Sequence, residues 1–174
     1  DGLTGGVRAE AEMPEDNFYI VQVLGERVAP GEAAVVVKNG EGGYGQWRYG
    51  EPLLALDAQL KPVWGPVAIP GAGHHILALD LDRDKGNEFL VGYCAVKPCG
   101  KIAWTVDAID PAKLDAGKEH VDYTDVRRRP SGELLLALAG SNRSYLAECG
   151  GRTLFARPGP HPQGSALGRF RDDS

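Results

Sequence analysis

An internal repeat constrains the fold of this chain more than any other feature. The stretch HILALDLDRDKGNEFLVGY aligns with the later stretch HVDYTDVRRRPSGELLLAL. Self-similarity at a spacing of 20 to 50 residues is typical of repeat architectures, in which each unit is one supersecondary element. Three pairs of polar residues coincide in the alignment: His75 with His120, Asp80 with Asp125, and Glu88 with Glu133.

The repeat extends in both directions from this pair. Upstream, the segment from NFYIVQV to LKPVW follows the same plan, and downstream HPQGSALGRFRDDS resembles the opening strand of a further unit. We therefore expect a single domain with three complete units, at about 17–66, 73–107 and 119–158, while 159–174 and 1–16 form part of a fourth.

Each unit contains four short apolar runs, and turns rich in glycine and proline separate them. The 24 glycines and 12 prolines recur as punctuation between these runs, which is typical of all-β proteins. Four short strands in about 40 residues match one blade of a β-propeller. A β-sandwich is the alternative architecture. Between the second and third units, DAIDPAKLDAGKEH has the composition for a short helical turn.

Three units and a fragment raise the question of how the ring closes. Propellers typically have about 4 to 8 blades, and an exposed strand edge invites pairing with another strand. We therefore expect self-association, or a partner chain that completes the propeller.

Composition and charge exclude several functional classes. The net charge of -5 is unlike that of a nucleic-acid-binding domain, and no apolar run is long enough to predict a membrane span. The opening DGLTGGVRAE is not a signal peptide, so an exported form would already have lost its leader. Cys94 and Cys99 flank a short turn and either form a disulfide, which suits an oxidising compartment, or remain thiols together with Cys149.

The stretch DLDRDKGNE predicts a calcium site in the second unit. Alternating acids on a tight loop direct several oxygens inward, and Ca²⁺ takes about 6 to 8 oxygen ligands. The loop is not an EF-hand, because it lacks the flanking helices and closes at its ninth position. A solvated acidic turn is the alternative. The predicted ligands are Asp80, Asp82, Asp84, the carbonyl of Gly86, and Glu88.

The corresponding stretch of the third unit, DVRRRPSGE, replaces the inner acids with Arg127 and Arg129. A guanidinium group can bridge two carboxylates through charge-assisted hydrogen bonds. We therefore expect an arginine to link Asp125 and Glu133 and to organise this loop without a cation.

The four histidines all precede or begin the first strand of a unit. First strands line the axis of a propeller, so these side chains are expected to converge on one face, together with a long loop of the first unit, KNGEGGYGQWRYGEP. Aromatic and hydrogen-bonding groups on one surface suit a sugar. The alternative is that the histidines fill a repeated structural position. The expected substrate-binding residues are Tyr44, Trp47, Tyr49, His74, Asp122, His161 and Gln163.

The strings GAGHHILALDLDRDKGNEFLVGY, GKEHVDYTDVRRRPSGELLLALAGS and PGPHPQGSALGRF resemble blades of bacterial rhamnogalacturonan lyases. Those enzymes are FG-GAP-like, calcium-containing β-propellers with eight blades, and the likeness runs from about residue 17 to the end. The resemblance implies a secreted or periplasmic protein that cleaves an acidic, pectin-type polysaccharide by β-elimination. His75 or His120 would be the base, and Arg48 would neutralise the substrate carboxylate.

Two further hypotheses stay open at this point. A related propeller lyase type holds a divalent metal through histidines and a glutamine, so His75, His120, His161 and Gln163 would instead be metal ligands. The second hypothesis belongs to another class: a non-catalytic extracellular module, stabilised by calcium, that binds glycans or assembles with itself.

Overall fold

The described chain is all-β, which confirms the predicted class. The computed structural model describes residues 1–13, 20–28, 32–41, 53–84, 86–114 and 119–168. These residues form three four-stranded antiparallel sheets, and in each sheet the strands are neighbours in chain order. The three sheets occupy nearly the same stretches of chain as the three repeat units. In the described part of the chain, no helix has the length and apolar character that a membrane crossing requires.

The first sheet is formed by a long hairpin and two shorter strands. Its second strand contains the run AAVVVK, whose β-branched residues favour a pleated, half-buried backbone. That strand pairs with both neighbours, with Val36 opposite Leu24 on one side and Ala55 on the other. The strands are β1 (Ile20–Val28), β2 (Glu32–Glu41), β3 (Leu53–Leu56) and β4 (Pro62–Val67).

The second sheet has the shortest strands and a tight central hairpin. Gly92 lies in the turn of that hairpin with φ of +57°. A Cβ atom at this position would lie 2.3 Å from the carbonyl oxygen of Gly71, so only glycine fits here. The strands are β5 (Ile76–Leu79), β6 (Glu88–Val91), β7 (Cys94–Val96) and β8 (Ile102–Thr105).

The third sheet differs from the second at the hairpin between its first two strands. Asp80 follows the end of β5, whereas its counterpart Asp125 lies inside β9, opposite Ala137. The backbone keeps pairing as far as Arg128, and the chain then reverses in a short turn closed by a 2.8 Å bond from the Arg129 amide to the Glu133 carbonyl. The strands are β9 (Val121–Arg128), β10 (Leu134–Gly140), β11 (Arg143–Glu148) and β12 (Thr153–Pro158).

One turn of 3₁₀-helix, Pro111–Lys113, connects the second and third sheets, in the stretch where a helical turn was expected. Its first turn is capped by Asp110, whose side chain accepts a hydrogen bond from the Ala112 amide. The capping residue and the proline that follows it explain why the helix starts here.

The sheets pack in chain order, and the second sheet is covered on both faces. Alternate residues of β6 point to opposite sides: Phe89 and Val91 pack against the first sheet, and Leu90 packs against the third. Burial on both faces explains why the run EFLVGYCAV lacks the polar alternation of a one-sided strand.

The described parts of the terminal segments, residues 1–13 and 159–168, contain no strand. Ala11 and Met13 pack against a small apolar cluster of the first sheet that includes Leu54. At the other end, the Leu167 amide donates to the Asp125 carboxylate at 2.7 Å and holds the carboxy-terminal segment against β9. Each terminal segment therefore covers part of an end sheet.

The three cysteines are unpaired thiols. Cys94 is buried in β7 with its sulfur 3.3 Å from the Thr105 hydroxyl, whereas Cys99 is exposed. The alternative of a Cys94–Cys99 disulfide is thereby decided in favour of thiols. Burial raises the pKa of the Cys94 thiol, so Cys94 acts as a small apolar core residue.

Candidate functional site

A buried aspartate, Asp122, lies at the centre of a cluster of histidines. Its side chain is 7% exposed. The Nε2 atoms of His74 and His120 each lie 3.3 Å from Asp122 Oδ1, and the Nε2 atom of His161 lies 3.3 Å from Oδ2. Three imidazoles therefore surround one carboxylate. We call this set of four residues the histidine–carboxylate cluster.

The local backbone explains how two of these histidines meet Asp122. His120 and Asp122 are two positions apart at the start of β9, so they point to the same side. The segment before β5 runs alongside: the Val121 amide donates to the Gly71 carbonyl, and the His74 amide donates to the Val121 carbonyl, both at 3.2 Å. This pairing places His74 beside the strand that carries Asp122.

Gly73 permits this close approach. Its φ is +63°, and a Cβ atom there would lie 1.8 Å from the Val121 carbonyl oxygen. Any side chain at this position would push the His74 segment away from β9.

His161 reaches the cluster from the segment that follows β12. Its side chain is 49% exposed, and its backbone has φ of +40°. The segment is held by a 3.1 Å bond from the Gly159 amide to the Asn142 carbonyl and by the Leu167–Asp125 contact. The cluster therefore draws on three distant stretches of the sequence.

The predicted residue His75 lies next to the cluster but outside it. It is exposed, and its ring is edge-to-face with that of Tyr123, with centroids 6.0 Å apart. Burial is the main cause that lowers the pKa of His75, and electrostatic interactions with the neighbouring His74 and Lys38 lower it further. Its imidazole is therefore neutral near pH 7 and can accept a proton.

Sequence reasoning missed Lys38, which lies in β2. Its side chain is fully buried, and its Nζ atom donates to the carbonyl oxygens of Asn39, at 2.7 Å, and Gly73. Burial lowers the pKa of Lys38 to about 7. The available signal was a lysine at the end of an otherwise apolar run, AAVVVK, on a central strand of its sheet.

The donor set of the cluster suits a divalent transition metal. One ligand atom from each of His74, His120 and Asp122 lies within 4.8 Å of the others. Asp122 Oδ2 is buried, and no donor among the described residues has the geometry of a hydrogen bond to it. His161 Nε2 nevertheless lies within ion-pair distance of this oxygen. Imidazole and carboxylate ligands together are typical of Zn²⁺, Mn²⁺ and Fe²⁺ sites.

Of the remaining predicted binding residues, the described part of the chain contains Gln163. Gln163 is exposed on the carboxy-terminal segment, two positions after His161. The aromatic loop of the first unit lies outside the described residues, so its predicted roles remain predictions. They concern Tyr44, Trp47, Arg48 and Tyr49.

The acidic loop of the second sheet brings three of its four carboxylates together. One oxygen from each of Asp80, Asp82 and Glu88 lies within 4.8 Å of the others. Glu88 is buried and accepts a 2.9 Å hydrogen bond from the Leu81 amide. Burial, and repulsion from Asp82 and Asp84, raise the pKa of Glu88. A cation at this position would offset that repulsion.

The other two predicted ligands of this loop contact each other. The Gly86 amide donates to Asp84 Oδ1 at 2.7 Å. In the same way, Asp80 accepts a 2.6 Å hydrogen bond from the Arg83 amide, and Asp82 accepts a 3.2 Å hydrogen bond from the Asp84 amide. The alternating acids thus also form a series of side-chain-to-backbone turns, which explains part of their spacing without a cation.

In the third sheet, Asp125 and Glu133 each pair with a different arginine. Arg127 Nε lies 3.5 Å from Asp125 Oδ2, and Arg129 lies 3.3 Å from Glu133 Oε2. The expected bridge by one guanidinium is therefore wrong. The reason is the extension of β9, which separates Asp125 from the turn that contains Glu133.

Comparisons of the chain with protein-family models, with curated proteins and with solved structures give no match. The chemistry of the histidine–carboxylate cluster is therefore the basis for a functional proposal.

Proposed function

We propose that this chain is a metal-dependent, carbohydrate-active protein that cleaves an acidic, pectin-type polysaccharide by β-elimination. The observation that carries the proposal is the set of three imidazoles around the buried carboxylate of Asp122, beside the exposed imidazole of His75. Such a set would provide a metal site with a neutral base beside it.

His74, His120, Asp122 and His161 would hold a divalent metal ion. When bound, the ion would act as a Lewis acid toward the carboxylate of a uronic acid residue, which makes the proton on the adjacent carbon more acidic. The resemblance to propeller lyases supports the same substrate class.

His75 is the preferred base. It is exposed, and its lowered pKa keeps the imidazole neutral near pH 7. It would remove the proton from C5 of the uronate, the electron pair would form the C4–C5 double bond, and the oxygen on C4 would leave with a proton from solvent. The half-exposed ring of Tyr123 offers a stacking surface for a sugar beside it.

His120, the other candidate base, is better suited to metal binding. It is 5% exposed and contacts both Ser141 and Asp122, so a substrate would not reach its ring nitrogens. Arg48 remains the candidate group for neutralising the substrate carboxylate.

The three sheets would be consecutive blades of a β-propeller. Two observations support this architecture over a sandwich: each sheet is a four-stranded meander, and the second sheet packs on both neighbours in chain order. A second copy or a partner chain would complete the ring. Because polymeric pectin-type substrates lie outside the cell, a secreted or periplasmic location follows from the same proposal.

The activity is tested with rhamnogalacturonan and polygalacturonate in the presence of Mn²⁺, Zn²⁺ or Ca²⁺. We expect ultraviolet absorbance from an unsaturated uronic acid product with one of these ions, and none after chelation. The His75→Gln variant should lose at least about 100-fold of the rate, which is within the usual contribution of a general base. Full activity in this variant would show that His75 is not the base.

The second candidate function is a non-catalytic, calcium-stabilised module that binds glycans or assembles with itself. The observation that favours it is the acidic loop between β5 and β6, where one oxygen from each of Asp80, Asp82 and Glu88 lies within 4.8 Å of the others. No unsaturated product with any substrate, together with glycan binding or large assemblies in light scattering, would support this candidate over the lyase.

Calcium is expected to stabilise the protein through Asp80, Asp82 and Glu88. At about 100 times the dissociation constant, a ligand that binds only the native state adds about 2.7 kcal/mol, which corresponds to a rise of roughly 5–10 °C in the melting midpoint. Thermal melting with Ca²⁺ and with a chelator measures this rise.

The Asp82→Asn variant should lose most of the calcium-dependent rise. Glu133→Gln is the control, because Glu133 is the third-unit counterpart of the proposed ligand Glu88 and pairs with Arg129. Its calcium response should equal that of the unaltered protein. An equal response in Asp82→Asn would contradict a cation site in the acidic loop.

A further inference from the structure

Ser141, which follows β10, makes an unusually complete set of contacts with His120. Its hydroxyl oxygen lies 2.9 Å from the His120 amide nitrogen, 3.0 Å from His120 Nδ1 and 3.1 Å from the His120 carbonyl oxygen. The Ser141 amide also donates to that carbonyl at 2.9 Å. Both residues are buried, at 4% and 5% exposed. Ser141 therefore fixes both the backbone and the ring of His120.

Counting protons shows what this arrangement allows. A serine hydroxyl has one proton to donate and can accept two hydrogen bonds. If Ser141 accepts from the His120 amide and from Nδ1–H, and donates its own proton to the His120 carbonyl, all three contacts of the hydroxyl are satisfied. The ring proton is then on Nδ1, and the Nε2 lone pair points toward Asp122.

The contact between His120 Nε2 and Asp122 Oδ1 is a hydrogen bond in one ring tautomer, whereas the tautomer with its proton on Nδ1 needs a positive charge between these two atoms. A lone pair on Nε2 and a carboxylate oxygen at 3.3 Å repel each other unless a metal ion or an additional proton lies between them. In the alternative tautomer, the Ser141 hydroxyl donates its proton to His120 Nδ1, and His120 Nε2–H donates to Asp122. The Ser141 oxygen then accepts one hydrogen bond, from the His120 amide, instead of two. A ligating histidine usually donates its other ring N–H to an outer partner.

We propose that Ser141 is the positioning residue of the metal centre: it accepts the Nδ1 proton of His120 and so presents Nε2 as a ligand to a divalent transition metal. This inference rests on the proposed metal centre and adds the group that sets the tautomer of one ligand. Loss of such an outer partner typically weakens metal binding by about 10–100-fold. Ser141→Ala should therefore weaken Zn²⁺ binding by that factor.

The test combines Zn²⁺ titration, in competition with a chromophoric chelator, with nitrogen-15 spectra of the histidine rings. In the unaltered protein with Zn²⁺, we expect His120 to carry its proton on Nδ1. In Ser141→Ala, the affinity should fall and the His120 signals should change. Ser141→Thr, which keeps the hydroxyl, should recover most of the affinity. Ser131→Ala, in an exposed turn, is the control and should bind as the unaltered protein does.

The outcomes separate this inference from the proposed function. If the unaltered protein does not bind Zn²⁺, Mn²⁺ or Co²⁺, both the metal centre and the role of Ser141 are overturned. If it binds but Ser141→Ala binds equally well with the same His120 tautomer, the metal centre stands and the role of Ser141 is overturned. Melting of each metal-free variant shows whether a weaker affinity reflects unfolding; a loss of affinity in a variant that melts normally supports the inference.

Discussion

Replacing Lys38 with methionine is expected to stabilise the protein by up to about 3 kcal/mol at pH 6. Burial lowers the pKa of this lysine from 10.5 to about 7, a difference that corresponds to about 5 kcal/mol of cost for holding the charged form in the folded protein. Methionine fills a similar volume without a charge. The two hydrogen bonds that Lys38 donates to Asn39 and Gly73 are lost, at a cost of at least about 1 kcal/mol each because their carbonyl acceptors lose a donor.

The sign of the pH dependence follows from the same values. Between about pH 7 and 10.5, the lysine is protonated in the unfolded chain but neutral in the folded protein, so the unfolded state binds more protons. The free energy of unfolding therefore rises with pH across this range, and the full penalty is present below pH 7. The advantage of Lys38→Met should be largest at pH 6 and should shrink as the pH approaches 10.

Urea unfolding of both proteins at several pH values measures this difference. Lys97→Met replaces an exposed lysine in a turn and should change the stability by less than about 0.5 kcal/mol at every pH. A stability difference between Lys38→Met and the unaltered protein that does not depend on pH would show that the buried lysine is not deprotonated in this range.

Lys38 reduces the stability of the protein and contacts the segment that carries His74. We therefore expect Lys38 to support the histidine–carboxylate cluster. Stabilising substitutions near functional sites commonly reduce function. Lys38→Met should therefore be more stable and less active. Because Lys38 Nζ holds the Gly73 carbonyl, the loss of activity would reflect a displaced His74.

The sequence predicted the class of fold because the signals for it are local. Short apolar runs, separated by glycines and prolines, specify strands and turns within a few residues of one another. The shared start of the units likewise predicted that the histidines would lie near one another, and the structure brings His74, His120 and His161 around Asp122. The features that recur in every unit could therefore be predicted from this single sequence.

The contacts that complete the site are not local, so the sequence did not reveal them. Lys38 reads as a solvent-facing residue at the end of a strand, and its contact with Gly73 spans 35 positions. Ser141 contacts His120 across 21 positions. Which of two adjacent histidines turns inward also depends on a glycine packed against another sheet: His74 joins Asp122, and His75 faces Tyr123.

Asp122→Asn is expected to reduce the affinity for a divalent metal by more than about 100-fold, beyond the range typical of losing an outer partner. Asparagine has the same shape and keeps one oxygen, but it removes the negative charge that lies within 3.3 Å of three imidazoles. Calorimetric titration with Zn²⁺ and Mn²⁺ measures the loss. Unchanged affinity would show that the carboxylate is not a ligand.

His75→Gln provides the contrast that separates metal binding from proton transfer. His75 lies outside the group around Asp122, so this variant should keep its metal affinity within about 3-fold while losing elimination activity. Asp122→Asn should lose both. If His75→Gln also loses the metal, then the two adjacent histidines act together as ligands. The base would then have to be sought elsewhere on the same surface, because a metal-bound imidazole has no free lone pair with which to take the C5 proton.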